Sequence, residues 1–260
     1  MQQPDYGIDA PGVVRNLALA GFALLIVSVA SLAGLLPKVP AVRPIGGVTI
    51  VLPLGTNILI AAFALFAAAA WMYFGSRFGK TAERDRLLSM IEWTGHERVL
   101  DVGCGRGLLL VGAAKRLQDG VAAGVDIWQA EDLSGNTADV PLRNAALEGV
   151  RARVAVHTAD VRHLPFRADS FDVIVSRAAL HNIYSTDGRA AAVREIARVL
   201  KPGGQALISD IRHHREYART FSESGCGDVR LMDSMVASAL LTVLTIGSLR
   251  PNTMLVRKSR

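Results

Sequence analysis

Hydrophobic positions divide the chain into two parts. From Leu17 to Leu36, and again from about Leu54 to Phe74 within the uncharged run Pro44–Ser76, apolar residues continue without the polar stripe of a helix lying on a soluble core. Each stretch reaches roughly 20 residues, the length of a helix that crosses the hydrocarbon region of a bilayer. Pro37, Pro40, Pro44, Gly46 and Gly47 break the chain between them, which predicts a helical hairpin. A cleaved signal peptide is the alternative for the first span. Its length, its single preceding basic residue, Arg15, and the second span after it favour two retained helices.

After Lys80 the pattern changes to short apolar runs separated by amphipathic stretches. Val99–Val102, Ala122–Asp126, Arg153–Val156, Phe171–Val175 and Ala206–Ser209 read as buried strands. Helices are expected over Thr81–Trp93, with Leu87, Leu88 and Ile91 inward, and over Leu108–Leu117, which stops at Asp119-Gly120. Another begins near Ser185-Thr186-Asp187 and places Val193, Ile196, Ala197 and Leu200 on one face. Strands alternating with helices predict an α/β domain built on a parallel sheet. The expected division is a membrane anchor over residues 1–80, with spans at about 17–36 and 54–74, and one domain over 81–260, large enough to bury its own core. Residues from about Thr81 onward are expected to suffice for cofactor binding.

The chemistry concentrates where the first of these strands ends. In Val99-Leu-Asp-Val-Gly-Cys-Gly-Arg-Gly107 a strand carrying Asp101 runs into a glycine turn and then a helix. Glycines at 103, 105 and 107 allow a tight turn and close approach of the backbone to a ligand. A dinucleotide site requires G-x-G-x-x-G, and Leu108 stands where its third glycine belongs, so a phosphate-cradling reading weakens. Asp126 ends the second strand and Asp160 follows the third; in an open parallel sheet, the carboxyl ends of successive strands border one crevice.

This block resembles motif I of the class I S-adenosylmethionine-dependent methyltransferases. The likeness continues through Leu164-Pro-Phe166, Asp169–Ser176 and Val199-Leu-Lys-Pro-Gly-Gly204, covering about Glu92 to Asp210. It implies a Rossmann-like seven-stranded methyltransferase sheet, mostly parallel with the last strand antiparallel, preceded by the two transmembrane helices. Asp228–Met232 and Asn252–Arg257 are the expected sixth and seventh strands. It also implies S-adenosyl-L-methionine as cofactor, with Asp126 on the ribose hydroxyls, Asp160 on the adenine amino group and Asp101 near the methionine amino group. Gly103, Cys104, Gly105 and Gly107 would form the loop, Ile127 and Trp128 would sit beside Asp126, Val161 beside Asp160, and Ser176 at the end of the fourth strand. His181, after that strand, is the candidate general base, since its pKa suits proton transfer near neutrality; a role limited to shaping the pocket remains open. The polar connection Gln129–Val140 departs from a minimal core and reads as a flap. Met235–Leu249, uncharged and apolar, reads as a buried helix or a membrane-facing lid.

Charge refines the picture. The net +6 is shared, with five Lys/Arg against two Asp/Glu in residues 1–80, so the catalytic part is only weakly basic and no nucleic-acid partner is expected. Arg77, Lys80, Arg84 and Arg86 follow the second span while the hairpin loop holds only Lys38 and Arg43, which places the large domain on the cytoplasmic side. The run Arg212-His-His-Arg215 with Arg219 faces anionic headgroups or is an ordinary solvated helix face. Cys104 and Cys226 have no metal-ligand spacing to the histidines, so no metal is expected. The reading is a membrane-anchored methyltransferase acting on a small or lipid acceptor. A non-catalytic cofactor-binding or scaffold protein is the alternative, and an NAD-linked oxidoreductase a more remote one.

Overall fold

A computed structural model describes residues 3–36, 54–129, 133, 135–232 and 251–260. The hairpin loop and the Met235–Leu249 segment lie outside the described residues. The chain divides into two compact units, one of residues 7–79 with 131–134, the other of residues 1–6, 80–130 and 135–260.

In the first unit two helices pack together, α1 (Pro11–Leu32) and α2 (Leu54–Phe74). Small residues make the contact: a Cβ added to Gly21 would lie 3.2 Å from the Ala62 carbonyl oxygen, and one on Gly55 would lie 2.8 Å from Leu32. The Ser28 hydroxyl donates to the Gly55 carbonyl at 2.7 Å. Close backbone approach plus one interhelical hydrogen bond is how helices associate when apolar burial cannot drive them together. Large side chains point outward instead; Leu19, Phe22, Ile26, Phe63 and Trp71 are all exposed. A single π turn, Gly75–Gly79, follows α2.

The second unit holds α3 (Lys80–Leu88), β1 (Arg98–Val102), α4 (Leu108–Ala114), β2 (Val121–Asp126), α5 (Asp139–Leu147), β3 (Val154–Thr158), β4 (Phe171–Arg177), α6 (Thr186–Val199), β5 (Leu200–Asp210), α7 (His214–Glu223), β6 (Asp228–Met232) and β7 (Asn252–Arg257). The sheet order is β3-β2-β1-β4-β5-β7-β6. Strands β1 to β5 pair in parallel, and β7 runs antiparallel between β5 and β6. Successive residues of a strand face opposite sides, so Leu100, Ile174 and Ile208 pack under α6 and α7 while Val99, Val173, Val175 and Leu207 pack under α3 and α4. Leu87, Leu88 and Ile91 are buried as their spacing predicts.

The Lys201-Pro-Gly-Gly204 stretch is more than a turn before the fifth strand. Leu200 opens β5 opposite Phe171, Gln205 meets Val173, and the intervening residues bulge. Gly203 at φ +79° donates to Lys258 O at 3.0 Å, and Lys258 N donates back to Gly204 O at 3.1 Å, so the bulge is satisfied by the chain beyond β7. Leu200 is buried as expected but belongs to the strand, not to the preceding helix.

Candidate functional site

At the carboxyl end of β1 the chain must turn sharply from the sheet into α4. Gly103, Gly105 and Gly107 have φ of +69°, +48° and +83°, values that L side chains seldom adopt. Space forbids side chains as well: a Cβ on Gly103 would stand 2.3 Å from Ala179 Cβ, and one on Gly107 2.8 Å from Pro141 Cβ. The loop is tied to β2 by Gly103 and Cys104 N–H groups donating to Val125 O at 2.9 and 3.0 Å, and by Gly105 N donating to Asp126 Oδ2 at 2.8 Å.

Asp101 is buried and accepts from Leu110 N–H in the first turn of α4 at 2.8 Å. Burial is the main reason its carboxyl is pushed up to about 8, with the charge of Asp126 adding to the effect and the Leu110 hydrogen bond opposing it. Burial, then Asp101 and Asp126, push the Cys104 thiol well above its usual range, leaving it unreactive. Asp126 receives Trp128 N–H at 2.7 Å on Oδ1 and the Asn136 amide at 3.4 Å on the same oxygen. Trp128 takes φ +61° and its indole N–H donates to Thr158 Oγ1 at 2.8 Å. Its ring packs against the core under α4, while Ile127 beside it is exposed.

Asp160 caps the short turn Val161–His163 and forms a two-pronged ion pair with its neighbour, Arg162 Nη2 to Oδ2 at 2.5 Å and Arg162 Nε to Oδ1 at 3.0 Å. This guanidinium holds the carboxyl below the usual carboxylate range. Ser176 is buried, its hydroxyl donating to Val102 O at 2.9 Å, so it ties the ends of β1 and β4 together.

At the ends of β4 and β5 lies a group that sequence reasoning found only in half. His181 N–H donates to Asp210 Oδ2 at 3.0 Å, and His181 Nδ1 lies 2.5 Å from Asp210 Oδ1. A carboxylate oxygen accepts, so this contact favours the tautomer with its proton on Nδ1. Asp210 is buried and also receives Ile211 N–H at 2.8 Å and the Tyr217 hydroxyl at 3.4 Å. Burial and the Asp210 charge raise the Tyr217 hydroxyl pKa, which keeps it a neutral donor. Asp210 ends β5 as Asp126 ends β2, and that shared position was the available signal.

The loop is buttressed from an unexpected direction. Arg106 donates from Nε to Asp5 O at 2.9 Å and from Nη2 to the Asp5 carboxylate at 2.6 Å. Asn144 on α5 accepts from Asp5 N at 3.1 Å and donates to Asp5 O and Arg106 O, both at 2.9 Å. Tyr6 donates to Glu148, which also binds Arg84 at 3.0 Å and Lys115 at 2.6 Å, while Lys80 Nζ donates to Tyr6 O at 2.9 Å. Residues 3–6 thus form a strap on this unit.

Residues 100–208 match the family model described as "Methyltransferase domain". Among curated proteins, the chain is 34% identical over 127 residues to methyltransferase GfsG of Streptomyces halstedii, covering 49% of this chain and 42% of that one. It is also 34% identical over 120 residues to the demethylmenaquinone methyltransferase of Roseiflexus castenholzii, covering 46% of this chain and 44% of the relative. The chain therefore spans about half the length of the curated relatives it matches. Among solved structures, the Bacillus subtilis YcgJ protein superimposes with a TM-score of 0.55 at 20% identity, covering 69% of this chain and 99% of that one. A geranyl diphosphate methyltransferase in complex with SAM gives a TM-score of 0.55 at 17% identity, covering 74% and 90%. At these identities the likeness is one of fold, and the fold is that of S-adenosylmethionine-dependent methyltransferases.

Proposed function

We propose that the chain is a membrane-anchored S-adenosylmethionine-dependent methyltransferase that modifies a small, lipophilic acceptor. The observation that carries this reading is the gathering at one sheet edge of three features: the glycine loop, the carboxylates Asp101 and Asp126, and the His181–Asp210 pair. The residues fit the cofactor. Gly103 and Gly107 have no room for side chains, and the carboxylates supply acceptors for ribose hydroxyls and an ammonium group. Asp126 is assigned to the ribose, Asp101 to the methionine amino group, Ile127, Trp128 and Val161 to the walls of the site, and Asp160 to the adenine once Arg162 shares it. The bound cofactor supplies a methyl group on a positively charged sulfur.

The remaining work falls to the protein. The site holds the acceptor atom in line and at close distance, a source of rate that needs no strong base. When the acceptor carries a proton, His181 Nε2 removes it and Asp210 stabilises the resulting imidazolium, holding the ring in the correct tautomer.

The anchor reading rests on α1 and α2, 22 and 21 residues long and apolar around their circumference, with their large side chains exposed. An apolar surface of that kind is what a bilayer covers. The excess of Lys/Arg after the second span places the methyltransferase domain on the cytoplasmic side. Small-molecule acceptors also fit the relatives, one of which is named for demethylmenaquinone.

The test uses purified full-length protein in lipid nanodiscs with radiolabelled S-adenosylmethionine and a total lipid extract as acceptor. Label is expected to move into the organic phase, where mass spectrometry identifies the product. Cofactor binding without transfer to any lipid or small-molecule fraction would instead support the non-catalytic alternative.

A further inference from the structure

Asn136 lies in the polar connection after β2, and its placement is unusual. It is 7% exposed, and its amide nitrogen lies 3.4 Å from both Asp126 Oδ1 and Gln129 O. Both partners are acceptors, so the nitrogen is correctly oriented towards them. Its Oδ1 is buried with no hydrogen-bond partner among the described residues. A buried acceptor without a donor is costly to keep, and an apolar side chain of similar volume would avoid the cost.

The surroundings define what could satisfy it. Gly105 N–H occupies one position on Asp126 Oδ2, and Trp128 N–H with the Asn136 amide occupies Oδ1, which leaves a further lone pair on Oδ2. Asn136 Oδ1 adds another acceptor next to that carboxylate. A cluster of acceptors repels anions and selects a group rich in O–H donors. The residue is also held in place: Gly135 adopts φ +59°, and its carbonyl accepts from Arg106 Nη1 at 3.4 Å, so the glycine loop and the connection are joined.

We propose that Asn136 is a second ribose-contacting residue, its Oδ1 accepting from one hydroxyl of the diol whose recognition is shared with Asp126. This rests on the cofactor assignment above. It gives the connection a specific task, the delivery of one acceptor to the cofactor.

The test measures S-adenosylhomocysteine binding to the full chain in detergent, together with the analogues lacking the 2′- or the 3′-hydroxyl. Wild type is compared with Asn136→Ala and Asn136→Leu. Both variants are expected to bind S-adenosylhomocysteine at least about fivefold more weakly, the scale of one hydrogen bond. They are expected to lose the penalty for removing one particular hydroxyl while keeping the penalty for the other. Asn136→Leu, which removes the orphaned acceptor but fills its volume, is expected to melt no lower than wild type. Unchanged affinity, or an equal loss for all three ligands, would overturn the proposal and leave Asn136 a structural residue. Failure of wild type to bind either S-adenosylmethionine or S-adenosylhomocysteine would overturn the cofactor assignment itself, and this proposal with it.

Discussion

Two buried carboxylates at the site edge have opposite tasks, and their surroundings explain why. Asp210 is surrounded by donors from His181, Ile211 and Tyr217, and in the proposed mechanism it orients the His181 ring. Replacing it by Asn preserves size but removes the charge that favours the Nδ1-protonated tautomer. Turnover of Asp210→Asn is expected to fall by about 10²-fold, with cofactor affinity unchanged. Label transfer measured across pH 6–9 checks this, and a variant as fast as wild type would exclude the dyad as a base. Asp101 has one backbone donor and no cation partner among the described residues, so burial pushes it up to about 8. Between the ordinary carboxylate pKa and that value, the folded chain holds a proton that the unfolded chain has released. The stability it contributes is therefore present at low pH and is lost as pH rises through about 8. The melting temperature of the full chain is expected to drop more between pH 6 and 9 in wild type than in Asp101→Asn. An ammonium group near Asp101 would favour its ionised form, so cofactor binding near pH 7 is also expected to release protons, a release that calorimetry in buffers of different ionisation enthalpy would find reduced in Asp101→Asn. The glycines, Asp101 and Asp126 were legible in the sequence because each marks a strand end or a turn. The bond from His181 to Asp210 was not, since only the pairing of β4 with β5 brings residues 29 apart together.

Elements were legible where periodicity was strong and illegible where contacts were distant. The five strands read from apolar runs are present, and β6 and β7, expected from the family resemblance, match their spans residue for residue. Local patterns say nothing of Asp5, whose partners Arg106 and Asn144 are 101 and 139 residues away. The strap it begins changes one expectation. A fragment starting at Thr81 lacks Asp5 and Tyr6, and with them the contacts that hold Arg106 inside the glycine loop. Asp5→Ala in the full chain is expected to weaken S-adenosylmethionine binding severalfold. It is expected to destabilise the domain by about 1 kcal/mol, a modest figure because the Asp5 side chain is itself largely exposed. Fluorescence titration and thermal melting read the two effects; a loss of stability with full affinity would make the strap a purely structural clasp.

For the whole molecule, the strap and the hairpin share a topological requirement: the chain leaves the larger unit after Tyr6 and returns to it at Lys80. Under the proposed anchor reading two crossings meet this requirement, and the basic residues after α2 give the expected direction. Cys104 and Cys226 are buried, so an introduced thiol can be labelled against a low background. In intact cells an impermeant maleimide is expected to modify Val42→Cys in the hairpin loop and to leave Ser259→Cys unmodified until the membrane is opened. The reverse pattern would place the domain outside, away from cytoplasmic S-adenosylmethionine. The strap also imposes an order on biosynthesis. Glu148 leaves the ribosome 142 residues after its partner Tyr6, a delay of about 7–30 s at ordinary rates of translation. The two-helix unit is therefore synthesised before most of the unit that joins both its flanks. Closure of the strap comes last, and it can occur only in chains whose Asp5 and Tyr6 can still reach Arg106, Asn144 and Glu148 once these have folded.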